Sequence, residues 1–132
     1  MAPRKASKYH ARKVTAYGKE FDSKKEAARH SELVLLQRAG LIRDLQCQVK
    51  FVLIPTQTKT VERYSEKTGK RLKDKVVTVE KECSYYADFT YYQNGEYIVE
   101  DVKGYKKGTA YDVFTIKRKL MLHVHGISVK EI

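Results

Sequence analysis

The feature that most constrains this chain is the dipeptide Asn94-Gly95, which separates two β-prone runs. Asn-Gly is typical of a two-residue hairpin turn, because both central residues of that turn adopt positive φ. A loop of that length fixes the register of the hairpin, and in this register Asp88 lies opposite Asp101. The two runs are therefore predicted to be antiparallel neighbours in one sheet.

The predicted register brings two carboxylates together on one face of the hairpin. Directly opposed side chains have Cβ atoms about 5 Å apart, and alternation places Lys103 on the same face as Asp88 and Asp101. Like charges at that distance destabilise a sheet, whereas a divalent cation would reverse the effect, because Mg²⁺ prefers carboxylate oxygens. An alternative stays open, in which Asp88 and Lys103 form a diagonal ion pair at an exposed edge and Asp101 is solvated. The adjacent Glu100 is expected on the opposite face.

A basic excess indicates a polyanionic partner. The chain has 132 residues, with 27 Lys or Arg against 16 Asp or Glu, and a formal net charge of +11. The basic residues cluster in residues 1–29, 56–75 and 103–119. Because phosphates neutralised by such residues release counterions, nucleic acid is the expected partner, and a surface charged only for solubility is the alternative. Charge alone leaves DNA and RNA both open.

Length and hydropathy exclude several classes of protein. With 42% hydrophobic residues, the chain is expected to form one globular core rather than a disordered tail. Its apolar runs are far shorter than the roughly 20 residues of a membrane span, and the basic N-terminus lacks the apolar stretch of a secretory signal. There is no Gly-rich phosphate loop, and neither cysteine has an assigned base. We therefore expect a soluble intracellular domain with no membrane partner.

Composition and turn signals divide the chain. Residues 1–13 are expected to be a flexible basic arm, and residues 14–132 a single domain. Within the domain, residues 56–82 are polar and basic with a turn signal, so we expect an inserted, exposed hairpin or loop.

Capping signals and periodicity predict two helices. Ser23 is a candidate N-cap of the first helix, and Gly40 a stop signal at its end. A second helix is predicted over residues 111–124, with an apolar stripe of four residues on its buried face: Val113, Ile116, Leu120 and Val124. The core order is then α, β, β, β, α, β, which predicts an α/β fold around a mixed central sheet.

The acidic pair and the element order resemble a known family. Asp88, followed on the next strand by Asp101-Val102-Lys103, is similar to the PD-(D/E)XK pattern of restriction-endonuclease-like nucleases, whose core has the same αβββαβ order. Asp101 stands where glutamate is commoner. The layout is most similar to the phage endonuclease I family of Holliday-junction resolvases. Five segments carry that similarity: Ser23–Glu26, Gly40–Ile42, Tyr85–Phe89, Asn94-Gly95 and Asp101–Gly104. Residues 99–104 also resemble a group of small phage-encoded proteins defined only as a domain of unknown function.

The resemblance implies a metal-dependent endonuclease that hydrolyses phosphodiester bonds in DNA with Mg²⁺ or Mn²⁺. It implies that Asp88 and Asp101 bind the metal directly, with the main-chain carbonyl of Val102 as a third ligand. Lys103 would orient or activate the attacking water, and Glu26 would complete the cluster.

Two residues keep rival interpretations. Ser23-x-x-Glu26 is also the pattern of a capping box, which occurs in helices of any function. Gln48 lies on the strand predicted beside the hairpin, where it is either a neighbour of the site or a plain polar strand residue.

The remaining expectations concern partners. Five basic residues are candidate phosphate contacts, or else a solvated surface: Lys106, Lys107, Lys117, Arg118 and Lys119. The resemblance implies branched or junction DNA as the substrate, and because resolution of a two-fold junction needs two active sites, a homodimer is expected. It also implies a phage- or prophage-encoded protein in the host cytoplasm. The alternative function is a non-catalytic nucleic-acid-binding module on the same fold.

Overall fold

The computed structural model describes residues 14–16, 19–21 and 23–132. Its helices are α1 (Lys24–Arg38) and α2 (Thr109–Leu120), and a π-helical turn, Met121–His125, continues α2. The strands are, in chain order, β1 (Val14–Ala16), β2 (Lys19–Phe21), β3 (Arg43–Ile54), β4 (Gln57–Tyr64), β5 (Arg71–Glu80), β6 (Cys83–Gln93), β7 (Glu96–Asp101) and β8 (Lys130–Glu131). The predicted basic arm, residues 1–13, lies outside the described residues. No helix within the described ranges has the length and apolar character to cross a membrane.

A mixed four-stranded sheet organises the fold. Its order is β3-β6-β7-β8, in which β8 is parallel to β7 and the other neighbours are antiparallel. The pairs β1–β2 and β4–β5 form separate two-stranded sheets. Apart from those pairs, the elements follow the predicted order α, β, β, β, α, β, and the fold is mixed α/β.

The two helices cover opposite faces of the four-stranded sheet. α1 buries Leu33 in a cluster that includes Ile98 of β7, whereas α2 buries Phe114 in a second cluster that includes Val99. Ile98 and Val99 are adjacent in the strand, so their side chains point to opposite faces. The core therefore consists of an α1 cluster and an α2 cluster, with the sheet between them.

The predicted start of α1 is confirmed. Ser23 has extended backbone angles, and its Oγ accepts a hydrogen bond from the Glu26 amide at 3.1 Å. This bond satisfies one of the backbone donors that a helix start leaves unpaired. Gly40 follows the end of the helix with φ of 75°, a conformation that favours glycine.

The predicted hairpin register is confirmed over the whole ladder, and the predicted pair Asp88–Asp101 lies one step beyond its end. Asn94 and Gly95 have φ of 51° and 79°, as a primed two-residue turn requires. The ladder between β6 and β7 runs from Gln93–Glu96 at the turn to Phe89–Glu100.

The predicted buried face of α2 is wrong. Val113, Ile116 and Val124 are 47%, 60% and 46% exposed, while Phe114 and Met121 are buried. An aromatic ring removes more apolar surface from water than an aliphatic side chain, so Phe114 sets the inward face. The π-helical turn that begins at Met121 then shifts the phase of the helix, and Val124 does not continue the stripe.

The segment expected to form an inserted hairpin or loop is a two-stranded ribbon, β4 and β5. All its strand residues are exposed except the half-buried Val77. The connection is closed by a hydrogen bond from the Ser65 amide to the Lys70 carbonyl at 2.8 Å. We refer to residues 57–80 as the ribbon.

Candidate active site

A break in strand alternation lies at the centre of the sheet. Ala87 of β6 packs in the α2 cluster, whereas Phe89, two residues later, packs in the α1 cluster. Strict alternation would keep both on one face. In β3, Cys47 contacts the α1 cluster and Phe51 the α2 cluster, and Gln48 between them has φ of 52°. That left-handed conformation costs a non-glycine residue about 1–2 kcal/mol. Because the strands change face here, side chains from both layers can meet at one place.

A cleft of about 940 Å³ opens at this break. Its lining includes all the residues predicted to bind metal or catalyse: Glu26, Asp88, Asp101, Val102 and Lys103. These residues come from α1, β6, and β7 with the segment after it. The structure therefore brings together residues that the sequence places up to 77 positions apart.

Asp101 is a buried carboxylate with two partners. It is 5% exposed, its Oδ1 lies 2.8 Å from Lys103 Nζ, and its Oδ2 accepts a hydrogen bond from the Tyr85 hydroxyl at 2.6 Å. Burial, followed by the bond to Asp101, raises the pKa of Tyr85 well above its usual value, so the hydroxyl stays a donor. The ammonium of Lys103 also lies 3.9 Å from the ring centroid of Phe114. The alternative of a solvated Asp101 and a Lys103–Asp88 ion pair is thus not what the fold adopts.

Asp88 lies just beyond the end of the β6–β7 ladder. Its Oδ2 accepts a hydrogen bond from the Val102 amide at 2.8 Å, and its Oδ1 accepts one from Gln48 Nε2 at 3.2 Å. Burial, helped by the negative charge of Asp101, raises the pKa of Asp88 to about 6, although the two hydrogen bonds and Lys103 act to lower it. The charge of Asp101 therefore disfavours the ionised form of Asp88, as expected for neighbours in a cleft.

Gln48 links the helix glutamate to this pair. Its Nε2 donates both to Glu26 Oε1, at 3.1 Å, and to Asp88 Oδ1. Glu26 is 6% exposed, and its backbone amide serves the helix cap while its carboxylate faces the cleft. Gln48 is thus a neighbour of the site, and the left-handed turn in β3 is what lets a mid-strand residue reach α1.

The carboxylates of the cleft are only partly arranged to bind a hard cation. Among the described side chains, no group of three or more acids, histidines or cysteines is arranged as a ready metal site. The carboxylates of Asp88 and Asp101 are held instead by Lys103, Tyr85, Gln48 and a backbone amide. Two carboxylates in one cleft, one of them with a raised pKa, nevertheless offer the oxygen ligands that Mg²⁺ prefers.

Glu100 lies on the other face of β7, as predicted, and belongs to a buried network that the sequence analysis missed. It is 1% exposed and is held by Arg29 of α1 through two hydrogen bonds of 2.9 and 2.5 Å and by the Tyr91 hydroxyl. The bond to Glu100 raises the pKa of Arg29, and burial raises that of Tyr91 to about 12. The available signal was Arg29, a basic residue on the first predicted helix.

The five predicted phosphate contacts occupy different surroundings: Lys106, Lys107, Lys117, Arg118 and Lys119. Lys117 lines the cleft. Lys106 and Arg118 instead pair with Glu131 of β8, at 3.2 and 2.8 Å, and this contact raises the pKa of Arg118. The other two are exposed. A cleft lysine that the sequence analysis missed is Lys25, whose Nζ donates to the Lys103 carbonyl at 2.8 Å.

Comparison with other proteins gives a family and no function. Neither a search of curated proteins nor a search of solved structures found a match. A family model described as "Protein of unknown function (DUF1064)" matches residues 6–130, a range that contains every residue of the cleft. The chain therefore belongs to the family of proteins of unknown function DUF1064.

Proposed function

We propose that this protein is a metal-dependent DNA endonuclease with a fold and site of the PD-(D/E)XK type. The observation that carries the proposal is the meeting of Asp88, Asp101 and Lys103 in one cleft, with Lys103 Nζ 2.8 Å from Asp101 Oδ1. Carboxylates on adjacent strands can hold a divalent cation, and a lysine beside them can offset charge on a phosphate, so these residue types suit metal-assisted phosphodiester hydrolysis.

The electrostatics of the cleft support a cation there. Asp88 has a pKa of about 6 because it is buried next to Asp101, and a bound divalent cation would favour the ionised form of Asp88. Asp88 and Asp101 would hold Mg²⁺ or Mn²⁺, with Glu26 and the Val102 carbonyl as the further ligands that the resemblance implies. When bound, the cation supplies positive charge that stabilises the attacking and leaving oxygens of the phosphodiester.

The other residues of the cleft have positioning roles in this proposal. Tyr85 holds Asp101 in place through its hydroxyl, and the Val102 amide does the same for Asp88. The ammonium group of Lys103 places a positive charge in the cleft. It would orient the attacking water and offset negative charge on the phosphate. Gln48 connects Glu26 to Asp88, so that the helix and the sheet keep a fixed relation at the site.

Charge supports a nucleic acid as the substrate, and the resemblance to endonucleases supports DNA. The net charge of +11 favours a nucleic acid, and Lys25 and Lys117 line the cleft where a phosphate backbone would lie. Branched or junction DNA is the proposed substrate.

A homodimer is part of the proposal, since two cuts related by two-fold symmetry need two sites. A phage or prophage origin and action in the host cytoplasm complete it.

The test is cleavage of synthetic DNA by the purified full chain. Four-way junctions, linear duplexes and single strands are incubated with Mg²⁺, with Mn²⁺ and with EDTA, and products are resolved on denaturing gels. We expect cleavage, greatest on the junction, that is lost in EDTA and in the Asp101→Asn variant. Glu96→Gln is the matched control, because Glu96 is an exposed acid on the same strand, outside the cleft.

The alternative function gives a different result. A non-catalytic nucleic-acid-binding module would bind the same DNA at low salt and cut none of it with either metal. That outcome, or cleavage that is equal in Asp101→Asn and wild type, would overturn the nuclease proposal.

A further inference from the structure

The ribbon has two faces with opposite electrostatic character. In an antiparallel ladder, directly opposed residues share a face, and the faces alternate along each strand. Lys59 of β4 opposes Val77, and Val61 opposes Lys75. Arg63 follows Val61 by two residues on β4 and opposes Leu72, because an extra residue of β5 is accommodated by a register shift between the two pairs. One face of the ribbon therefore presents three basic side chains separated by aliphatic ones, and we call it the basic face.

The opposite face neutralises itself. Glu62 accepts a hydrogen bond from the Tyr64 hydroxyl at 2.9 Å and lies 3.7 Å from Arg71, which also pairs with Asp74 at 3.2 Å. These contacts place Glu62 and Asp74 near Arg71, whereas Glu80 lies at the other end of β5, opposite Gln57. Arg71 itself joins this acidic cluster.

The cations of the basic face have no such compensation. Within the part of the chain that the structure describes, none of Lys59, Arg63 and Lys75 forms an ion pair, and all three are exposed. The aliphatic residues between them include Val61 and Leu72, which are 37% and 44% exposed. An unpaired, uniformly positive surface attracts a polyanion, and its charge is complementary to a phosphate backbone.

The dimensions of the ribbon suit double-stranded DNA. Strands of 8 and 10 residues extend about 27–34 Å, close to one turn of a duplex. A two-stranded ribbon also fits the major groove, which is about 12 Å wide. β3 carries Gln48 of the cleft and continues for six residues to Ile54, about 20 Å, before the ribbon begins. A duplex that extends from the cleft along these strands would reach the ribbon within its next turn.

We infer that the ribbon is a DNA-binding arm, which contacts duplex DNA beside the cleft through Lys59, Arg63 and Lys75. This inference rests on the DNA partner of the proposed function but not on its chemistry. The arm would add affinity by neutralising phosphates, and it would act whether or not the cleft cuts.

The experiment measures binding without metal, so that cleavage cannot affect it. Binding of the full chain to a fluorescent linear duplex in EDTA is followed by anisotropy over a range of salt. The variant Lys59→Gln/Arg63→Gln/Lys75→Gln removes three charges from the basic face. We expect binding about tenfold to a hundredfold weaker than wild type at about 0.1 M salt, and a slope of log K against log salt that is smaller by about two to three.

A matched control removes the same charge elsewhere. Arg38→Gln/Lys81→Gln/Lys130→Gln changes three exposed basic residues outside the basic face and the cleft, and should leave the slope unchanged. Far-UV circular dichroism checks that both variants fold. A second variant replaces residues 57–80 by a tight turn, which is feasible because Ile54 and Cys83 are already paired across β3 and β6. It should bind DNA as weakly as the triple variant.

Three outcomes would overturn the inference. The first is an equal loss in the triple variant and its control, which would indicate an effect of net charge only. The second is an unchanged salt slope in the triple variant. The third is unchanged DNA binding together with lost binding to vesicles that contain anionic lipid, which would make the basic face a membrane surface. If the ribbon variant loses DNA binding but wild type never cuts DNA, the nuclease proposal is refuted and the arm is not. If wild type cuts DNA but the triple variant keeps the wild-type salt slope, the arm is refuted and the nuclease is not.

Discussion

The cleft and the ribbon are neighbours in the chain but have opposite environments, since β4 and β5 of the ribbon lie in sequence between β3 and β6 of the cleft. Around the cleft, β3 and β6 lie between two helices, and the side chains of Asp88 and Asp101 are held by several partners each. In the ribbon, β4 and β5 pair with one another, and nearly all their side chains are exposed. In the cleft, burial raises the free energy of an ionised side chain and strengthens its interactions with its neighbours. In the ribbon, charges are exposed and screened by salt, so they contribute mainly to the attraction of a charged partner. We therefore expect changes in the cleft to alter rates and stability, and changes in the ribbon to alter affinity.

The largest effect expected from this difference concerns catalysis. Lys103→Gln removes the cation next to Asp101 and should lower the single-turnover cleavage rate by about 10³-fold, because it removes transition-state charge stabilisation of several kcal/mol. DNA binding in EDTA should change less than about threefold, since one phosphate contact at most is lost. The ribbon triple variant should show the reverse, with the rate nearly unchanged at saturating DNA. A similar loss of rate in both would contradict the division of roles.

The next effect concerns the buried network behind the cleft. Arg29→Met leaves the carboxylate of Glu100, which is 1% exposed, without its ion-pair partner. We expect a loss of about 3 kcal/mol in the free energy of unfolding, because an unpaired buried charge is strongly destabilising. Urea unfolding gives the value. The double variant Arg29→Met/Glu100→Gln should recover part of the loss, and Val76→Ala, on the exposed ribbon, should cost less than about 0.5 kcal/mol.

A smaller effect concerns pH. The pKa of Asp88 is raised from 3.8 in the unfolded chain to about 6, so between these values the folded state binds a proton that the unfolded state has lost. Stability of the metal-free protein should therefore fall as pH rises through this window, by about 3 kcal/mol at most. Asp88→Asn removes this cost, and should be about 1–2 kcal/mol more stable than wild type near pH 8 but not near pH 4.

Urea unfolding of both proteins at several pH values measures the Asp88 effect. Added Mg²⁺ should stabilise wild type near pH 8 and stabilise Asp88→Asn much less, because the cation requires the ionised carboxylate. A stability difference between the two proteins that does not depend on pH would show that the raised pKa of Asp88 is not its cause.

The smallest effect concerns the fold itself. Replacement of residues 57–80 by a tight turn should change the melting temperature of the protein by only a few degrees, because Val77 is the only strand residue of the ribbon that is half-buried. Differential scanning calorimetry measures the shift. A large loss of stability would mean that the ribbon supports the core, and would contradict the difference between a buried cleft and an independent, exposed ribbon.

Local rules explain the elements that could be predicted. The start of α1 depends on the Ser23 side chain and an amide three residues away, and the hairpin register depends on the conformations of Asn94 and Gly95. Both involve neighbours in sequence, whose geometry the residue types fix directly. The inward face of α2 was not predictable in the same way, because its choice between two apolar stripes depends on the fit of Phe114 against the sheet.

The candidate site also has features that local rules predict and features that depend on tertiary packing. The sequence by itself determined that Asp88, Asp101 and Lys103 lie near one another, because a two-residue turn leaves the strands one register and alternation leaves Glu100 on the other face. Only the tertiary structure decided that Gln48 bonds to both Glu26 and Asp88. It also decided that Arg29 forms an ion pair with Glu100. In the same way, it decided that Lys106 and Arg118 form ion pairs with Glu131. These contacts join residues from separate elements, and they depend on a left-handed turn in β3 and on helix packing, neither of which local residue preferences fix.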